Sequence, residues 1–409
     1  MKKSWSLLTV FYFLITAISG VLMRSKALFL LPAIRYDHIL HAHSHLALLG
    51  WVYMALVLLF LVHFFKDNVR NGQQIKWLYG LTQLTVIGMF ISFSIQGYAA
   101  LSISFSTIHI LLSYWFIAIA WKQLHRQTDN MPEKSASILF AKGSLICLAV
   151  SSLGPWVLAA LSANQLKETQ LYDAAIYFYL HFQYNGWFSL GLMAVLLRIF
   201  EERRIIYSKR AVKVLFWMYT YSLLPSFLLS VLWFKLDMGW YVVAAIAAIV
   251  QWIAIAQFCV VMFQARSSLN PIFEGWAGRF LIFSLVILFV KVTLELGSAV
   301  PGLSALIYDS RSVVIGYLHL TLLGFVSLMC MALFIQQGWM DGKRKVTKIG
   351  YVVFLIGFGV NELVLFLQGL FDWMGLGALV YAREWLWAAS VGMALGIFTF
   401  WIKGMVARG

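Results

Sequence analysis

Charged residues are scarce in this sequence. Only 11% of its 409 residues are charged, while 62% are hydrophobic. A soluble chain of this length needs far more polar surface than that, so the composition excludes a soluble globular protein and a disordered one. No stretch has the composition of a soluble domain. We therefore predict one integral membrane domain over residues 1–409.

Cysteine and acidic residues are also few. Cys147, Cys259 and Cys330 stand alone in apolar runs with no CxxC pair, which argues against structural zinc or an iron–sulfur cluster and favours small core residues. Lys and Arg number 31 against 16 Asp and Glu, a formal net charge of +15. Such an excess can indicate a nucleic-acid partner, but the positions of the basic residues give another explanation.

Apolar segments long enough to cross about 30 Å of hydrocarbon recur along the whole chain. We predict twelve, near 4–23, 38–65, 76–100, 101–124, 136–163, 173–200, 210–234, 238–264, 275–297, 310–336, 347–371 and 380–403. With the N-terminus inside, cytoplasmic segments hold about three times as many Lys and Arg as outside segments. The sequence thus predicts an all-α polytopic bundle of twelve transmembrane helices, with both termini cytoplasmic and the lipid bilayer, not nucleic acid, as its partner.

A histidine motif occurs three times at nearly equal intervals. His45, His181 and His319 are each followed, five residues later, by a glycine and then an aromatic residue, and the intervals between them are 136 and 138 residues. A fixed period indicates internal repeats. We expect three four-helix units, roughly 1–135, 136–270 and 271–409, in a pseudo-threefold arrangement.

The motif histidines fall on the second, sixth and tenth predicted helices, near the outer end of each. At 1.5 Å per residue they lie about 10 Å below the outer boundary, and His109 has the same depth on the fourth helix. Ionisable groups inside a membrane are rare and are functional hypotheses by default. A metal or haem site is one interpretation, and an interhelical hydrogen-bond layer without a cofactor is the other.

Helical geometry divides the histidines at the start of the second helix. His41 and His45 share a face one turn apart, whereas His43 points away from both, so His41 is a further candidate metal ligand. Gly50 follows His45 by five residues, about 140° round an α-helix. We expect this glycine to permit close contact with a neighbouring helix.

These features together resemble subunit I of the haem–copper oxidase superfamily, which includes the cytochrome oxidases and the nitric oxide reductases. The shared features are twelve helices, an inside N-terminus, three four-helix units and histidines on helices two, six and ten. The run over residues 43–51, His-Ser-His-Leu-Ala-Leu-Leu-Gly-Trp, is also similar to an element of small oxidase-like bacterial membrane proteins. Haem–copper proteins of the nitric oxide response are a related possibility.

The resemblance implies a cofactor and its ligands. His45 and His319 match the two axial ligands of a low-spin haem b, and His181 matches a copper ligand. The implied setting is a bacterial cytoplasmic membrane, with a cytochrome or quinol as electron donor and oxygen or nitric oxide as the gas ligand. Further candidates near the cofactor are His43 beside the haem, and Lys291 and Arg383 for its propionates.

The sequence also departs from that family. The seventh helix has no histidine pair for copper, and Tyr317 stands where the high-spin haem ligand is expected. Oxygen reduction with proton pumping is therefore in doubt, and an oxidoreductase activity is left open. His109, His41 and His43 are possible replacement ligands, and the candidates for a catalytic role are His181, Tyr184 and Glu362.

Two further polar pairs lie inside predicted helices. Lys291 and Glu295, four residues apart, form either a plain buried ion pair or a partner for haem propionates. Glu362, next to Asn361 near the middle of the eleventh helix, is either a proton carrier or a protonated, hydrogen-bonded core carboxyl.

Two functions of other kinds remain open on the sequence. One is a haem-free membrane transporter or channel whose histidine layer binds protons or transition-metal ions. The other is a degenerate structural or sensory relative that binds haem or copper without turnover.

Overall fold

A computed structural model describes residues 3–128, 135–234 and 236–406, and within these ranges the chain is helical with no β-strand. The long helices are α1 (Lys3–Lys26), α2 (Tyr36–His63), α3 (Gln73–Gln96), α4 (Ala100–Thr128), α5 (Ala136–Ala163), α6 (170–202), α7 (Lys209–Ser230), α8 (Met238–Gln264), α9 (Trp276–Ser298), α10 (Arg311–Gln336), α11 (Lys345–Trp373) and α12 (Ala382–Val406). The predicted all-α polytopic membrane bundle is confirmed.

By length and apolar composition, eleven of these helices in the described residues can cross a membrane. The remaining long helix, α6, is continuous over 33 residues, but His181, Gln183 and Asn185 lower the hydropathy of its central, uncharged stretch. The helix boundaries lie within a few residues of those predicted from the sequence.

The chain turns between α3 and α4 at Gly97, a few residues before the predicted boundary between residues 100 and 101. Its φ of +63° lies in the left-handed region, where a side chain is strained. A Cβ at this position would also lie 2.9 Å from the ring of His38. Glycine is therefore required both by the turn and by the close approach of α2.

The chain forms two compact units. The first comprises Met1–Phe116, Phe273–Leu281 and Ser327–Gly409, and the second comprises Ile117–Ile272 and Ile282–Val326. His45 and His109 belong to the first unit, and His181 and His319 to the second. The division into three repeats is a separate matter and stays a prediction.

The helices that carry the motif histidines are the most buried. More than seven in ten residues of the apolar stretches of α2 and α10 are buried, against half or fewer in the other helices that meet the span criterion. In α6, every residue from His181 to Leu197 is buried. A helix that is apolar on all sides belongs inside a bundle, and the more exposed helices present large apolar side chains suited to lipid.

All three motif helices change their winding at the same point. A π-helix begins directly after each motif histidine, at Leu46–Val52, Phe182–Phe188 and Leu320–Ser327. In a π-helix the hydrogen bonds run from i to i+5, and such segments frequently mark functional sites. The angle of about 140° between His45 and Gly50, which assumed α-helical winding throughout, is therefore wrong.

The motif glycines nonetheless have the role expected of them. A Cβ on Gly50 would approach Val86 of α3 to 3.0 Å, and one on Gly186 would approach the Cβ of Cys147 of α5 to 2.4 Å. Both glycines thus allow a neighbouring helix to pack against the π-helix. Cys147 and Cys330 are buried free thiols, as expected for small core residues.

Candidate functional site

The imidazole of His45 is oriented by its own helix. Its Nδ1 lies 2.9 Å from the carbonyl oxygen of His41, and since a carbonyl only accepts, Nδ1 carries the proton. The lone pair then sits on Nε2, for which the described residues provide no hydrogen-bond donor. In metal-binding histidines, one ring nitrogen usually donates a hydrogen bond to a carbonyl oxygen, and the other nitrogen is left to bind the metal.

Aromatic side chains form a wall beside this ring. Phe93 stacks on His45 with ring centroids 4.2 Å apart, and Tyr98 lies edge-on at 5.9 Å. His41 packs edge-on against Tyr98 at 4.5 Å, so His41 and His45 share a face as predicted. Both histidines are only partly buried within the protein.

His43 faces the opposite direction and joins α2 to α1. Its Nδ1 donates to the carbonyl oxygen of Thr16 at 2.9 Å and lies 3.1 Å from the hydroxyl of Ser19. This placement agrees with the predicted orientation away from His45. These hydrogen bonds between α2 and α1 account for the presence of His43 without a cofactor.

His109 is almost completely buried, with 2% of its surface exposed. Thr85 donates its hydroxyl hydrogen to Thr82 at 2.8 Å, so it accepts from Nδ1 of His109 at 3.1 Å. Nε2 is buried and has no partner among the described residues. The ring of Tyr53 packs edge-on at 5.0 Å and closes the remaining side.

His181 differs from His45 because both of its ring nitrogens are engaged. Nε2 donates to the carbonyl oxygen of Leu223 at 2.8 Å, and Nδ1 accepts from the amide of Asn185 at 3.2 Å. A neutral imidazole with this tautomer has no lone pair left for a metal. The predicted copper role of His181 would require the bond to Asn185 to break.

Asn185 connects His181 to a buried charged pair. Its Oδ1 accepts a hydrogen bond from Nζ of Lys291, and its amide also donates to Oε1 of Glu295 at 3.2 Å. Lys291 and Glu295 form the predicted ion pair, with 2.8 Å between Nζ and Oε1. The phenol of Tyr317 donates to the same Oε1 at 2.5 Å. Oε2 of Glu295 is buried and has no partner in the described part of the chain.

Aromatic rings close the space around the Lys291 ammonium. The side chain is fully buried, and Nζ lies 5.8 Å from the ring centre of Tyr184 and 5.9 Å from that of Tyr317. These are cation–π distances. Lys291 is therefore held inside the second unit, and a role in binding propionates would require it to leave these partners.

The remaining predicted residues occupy different settings. His319 is partly buried and directly precedes the π-helix of α10, the position that His45 has in α2. Arg383 is exposed at the start of α12. Glu362 is buried in α11, where Asn361 donates to its Oε1 at 2.9 Å and Oε2 has no partner among the described residues. Its two interpretations both remain open.

Within the described ranges, no group of three or more His, Cys, Asp or Glu side chains is placed to hold a metal ion. The candidate histidines of the described ranges therefore do not form a cluster of three or more with one another or with Cys, Asp or Glu. A replacement copper centre built from His109, His41 and His43 stays a prediction.

No protein-family model matches this sequence, and no curated protein matches it significantly. The resemblance to haem–copper oxidases stays a prediction from the motif residues and the number of helices.

Three contacts that set the orientation or the hydrogen bonding of the histidine rings were not predicted from the sequence. They are the stacking of Phe93 on His45, the bond from His109 to Thr85, and the bridge made by Asn185. The last had a sequence signal. The residue before the motif glycine is Leu49 and Leu323 in two copies but Asn185 in the third.

Proposed function

We propose that this protein is an integral membrane haem protein in which Nε2 of His45 is an axial ligand of the iron. The observation that carries the proposal is the tautomer of His45. Its Nδ1–H is bound by the carbonyl of His41, so Nε2 is left with a lone pair and no protein partner in the described residues. A neutral imidazole in this state is what haem iron requires.

The surroundings of His45 support this assignment. The stack of Phe93 on one face of the His45 imidazole holds the ring plane, and therefore holds the direction in which the Nε2 lone pair points. His319 is the second axial ligand that the resemblance supplies, and its place before an equivalent π-helix supports that choice. A copper ion at His181 is not part of the proposal, because both nitrogens of that ring are engaged.

A low-spin haem b supplies reversible electron transfer and, where a coordination position opens, binding of a small diatomic such as oxygen or nitric oxide. The chain itself orients the imidazole through His41 and excludes water with Phe93 and Tyr98. We place the protein in a bacterial cytoplasmic membrane with both termini inside, and a cytochrome or quinol as its electron donor. Whether it turns over a gas is a separate question that activity assays answer.

The direct test is a reduced-minus-oxidised spectrum of the full chain purified in detergent, with a pyridine haemochrome measurement. We expect an alpha band in the parent protein and its loss in His45→Ala and in His319→Ala. His43→Ala and His109→Ala serve as controls, because neither residue is an assigned ligand, and both should keep the band. A parent protein expressed with ample haem that shows no band would refute the proposal.

A second candidate function is a haem-free transporter or channel for protons or transition-metal ions. The observation in its favour is the buried chain of polar groups from His181 through Asn185 to Lys291 and Glu295. Charges at this depth are costly and are often retained for ion pathways. This function predicts no haem after purification, and ion flux into liposomes that falls in Glu295→Gln and in Glu362→Gln.

A further inference from the structure

The second unit has a polar cavity where two helices end. It has a volume of about 420 Å³ and lies between the segment that follows α6 and the C-terminal end of α8 with the residues after it. Its polar lining comes from Arg203, Arg204, Gln264 and Ser268, and Ile206 contributes apolar surface. Since α8 is long and apolar enough to span a membrane, the cavity lies at a membrane boundary.

The two arginines bring positive charge to this cavity without an opposite charge of their own. Arg203 and Arg204 are exposed and form no ion pair with any described residue. Arg266, nearby in sequence, is already engaged, because its guanidinium lies 4.0 Å from the ring centre of Phe263. The cavity therefore presents two guanidinium groups whose donors are available to a ligand.

The neighbouring acidic residues are occupied elsewhere. Glu201 accepts hydrogen bonds from the hydroxyl of Ser137 at 2.6 Å and from Tyr207 at 3.2 Å. Burial and the adjacent carboxylate of Glu201 raise the pKa of Tyr207, so this phenol remains a donor. Glu202 pairs with Arg198 at 3.2 Å. Neither carboxylate is directed to the arginines of the cavity.

The backbone holds Arg204 in an unfavourable conformation. The residue follows the end of α6 with a φ of +54°, and the N–H groups of Arg204 and Ile205 bond back to Glu201 and Phe200. This is the Schellman arrangement, in which the left-handed position usually carries glycine. An arginine there is less favourable than glycine, and strained backbone of this kind is retained where the side chain has a function.

The chemistry of the lining fits one ligand class. Guanidinium groups bind phosphate oxygens in a bidentate manner, and the hydroxyl of Ser268 and the amide of Gln264 add neutral donors. Ile206 is 95% exposed next to these groups and offers apolar surface to an acyl chain. Basic pockets at the ends of transmembrane helices are suited to anionic lipid headgroups.

From this geometry we propose that the cavity binds a phosphate-bearing anion through Arg203 and Arg204. The phosphate belongs either to the headgroup of an anionic phospholipid or to a soluble phosphate compound, and the two sources share the same contacts. The cavity contains none of the motif histidines, since its residues come from the last residue of α8 and from the segments that follow α6 and α8.

The test uses the purified full chain and two probes. Native mass spectrometry measures binding of phosphatidylglycerol against phosphatidylcholine, and calorimetry measures binding of inorganic phosphate. The Arg203→Gln/Arg204→Gln variant should bind its anionic probe at least about tenfold more weakly, because each arginine near the surface contributes about 1 kcal/mol. The matched control is Lys343→Gln/Arg344→Gln, which removes two charges from an exposed loop and should bind like the parent.

Arg204→Gly separates binding from folding. Glycine relieves the left-handed backbone, so this variant should be at least as stable as the parent while binding the probe about fivefold more weakly. Arginine-dependent binding of phosphatidylglycerol identifies a lipid site, and arginine-dependent binding of phosphate alone identifies a soluble ligand. The proposal is overturned if neither probe binds, if the double variant binds like the parent, or if the control loses as much.

Discussion

The first and second units use the same histidine motif for different purposes. In both, a π-helix begins directly after the histidine and a motif glycine packs against a neighbouring helix. In the first unit Nε2 of His45 has no partner among the described residues, whereas in the second both nitrogens of His181 are hydrogen-bonded. The motif therefore determines the backbone but not the chemistry of the ring.

One residue accounts for much of this difference. Asn185 occupies the position of Leu49, directly before the motif glycine, and its amide reaches Nδ1 of His181. Leucine has no donor for a ring nitrogen, so His45 bonds to the carbonyl of His41 instead. The side-chain oxygen of Asn185 also accepts a hydrogen bond from Lys291, so the asparagine helps to stabilise the buried ammonium in the second unit. Changes at these positions can break or sharpen the comparison.

The largest expected difference is in haem content. His45→Ala should reduce bound haem to background, because the proposed ligand is removed, whereas His181→Ala should keep haem at the parent ratio. Haem and protein are quantified in the same detergent-purified sample. Equal loss in both variants would show that the two rings are not functionally distinct.

The next effect is on stability in the second unit. Lys291→Met should lower the free energy of unfolding by about 3–5 kcal/mol, because it leaves Glu295 buried without its cation. Lys291→Met/Glu295→Leu should recover a large part of that loss. Unfolding in mixed micelles, followed by tryptophan fluorescence, measures both. A Lys291→Met variant as stable as the parent would mean that the pair is not buried as described.

Asn185→Leu gives the second unit the residue of the first. We expect a loss of about 3 kcal/mol, because the Lys291 ammonium loses an acceptor and His181 loses a donor. If Asn185→Leu is neutral in the same unfolding assay, Asn185 does not bridge these groups.

The smallest effect concerns the two glycines. Gly186→Ala should cost about 1–3 kcal/mol, because the new Cβ would meet the Cβ of Cys147 at 2.4 Å, and Cys147→Gly should relieve it. Gly50→Ala should cost less, since its nearest neighbour is the terminal methyl of Leu46 at 2.7 Å, which can rotate away. The reverse order of stabilities would contradict the packing described here.

The sequence predicted the architecture well because hydrophobicity and the length of a membrane span constrain it strongly. The break at Gly97 and the ion pair of Lys291 with Glu295 follow from turn chemistry and i,i+4 spacing, which are local rules. The π-helices were not predicted, because their effect on residue spacing is one extra residue in an otherwise helical pattern. The orientation of His45 required knowledge of its carbonyl partner, which periodicity does not provide.

The central claim is that Nε2 of His45 is available to iron, and replacement of the ring by a free imidazole tests it most directly. His45→Gly should purify without an alpha band, and addition of haem with imidazole should restore a spectrum like that of the parent. Haem bound by His45→Gly in the absence of imidazole, with the spectrum of the parent protein, would contradict the account.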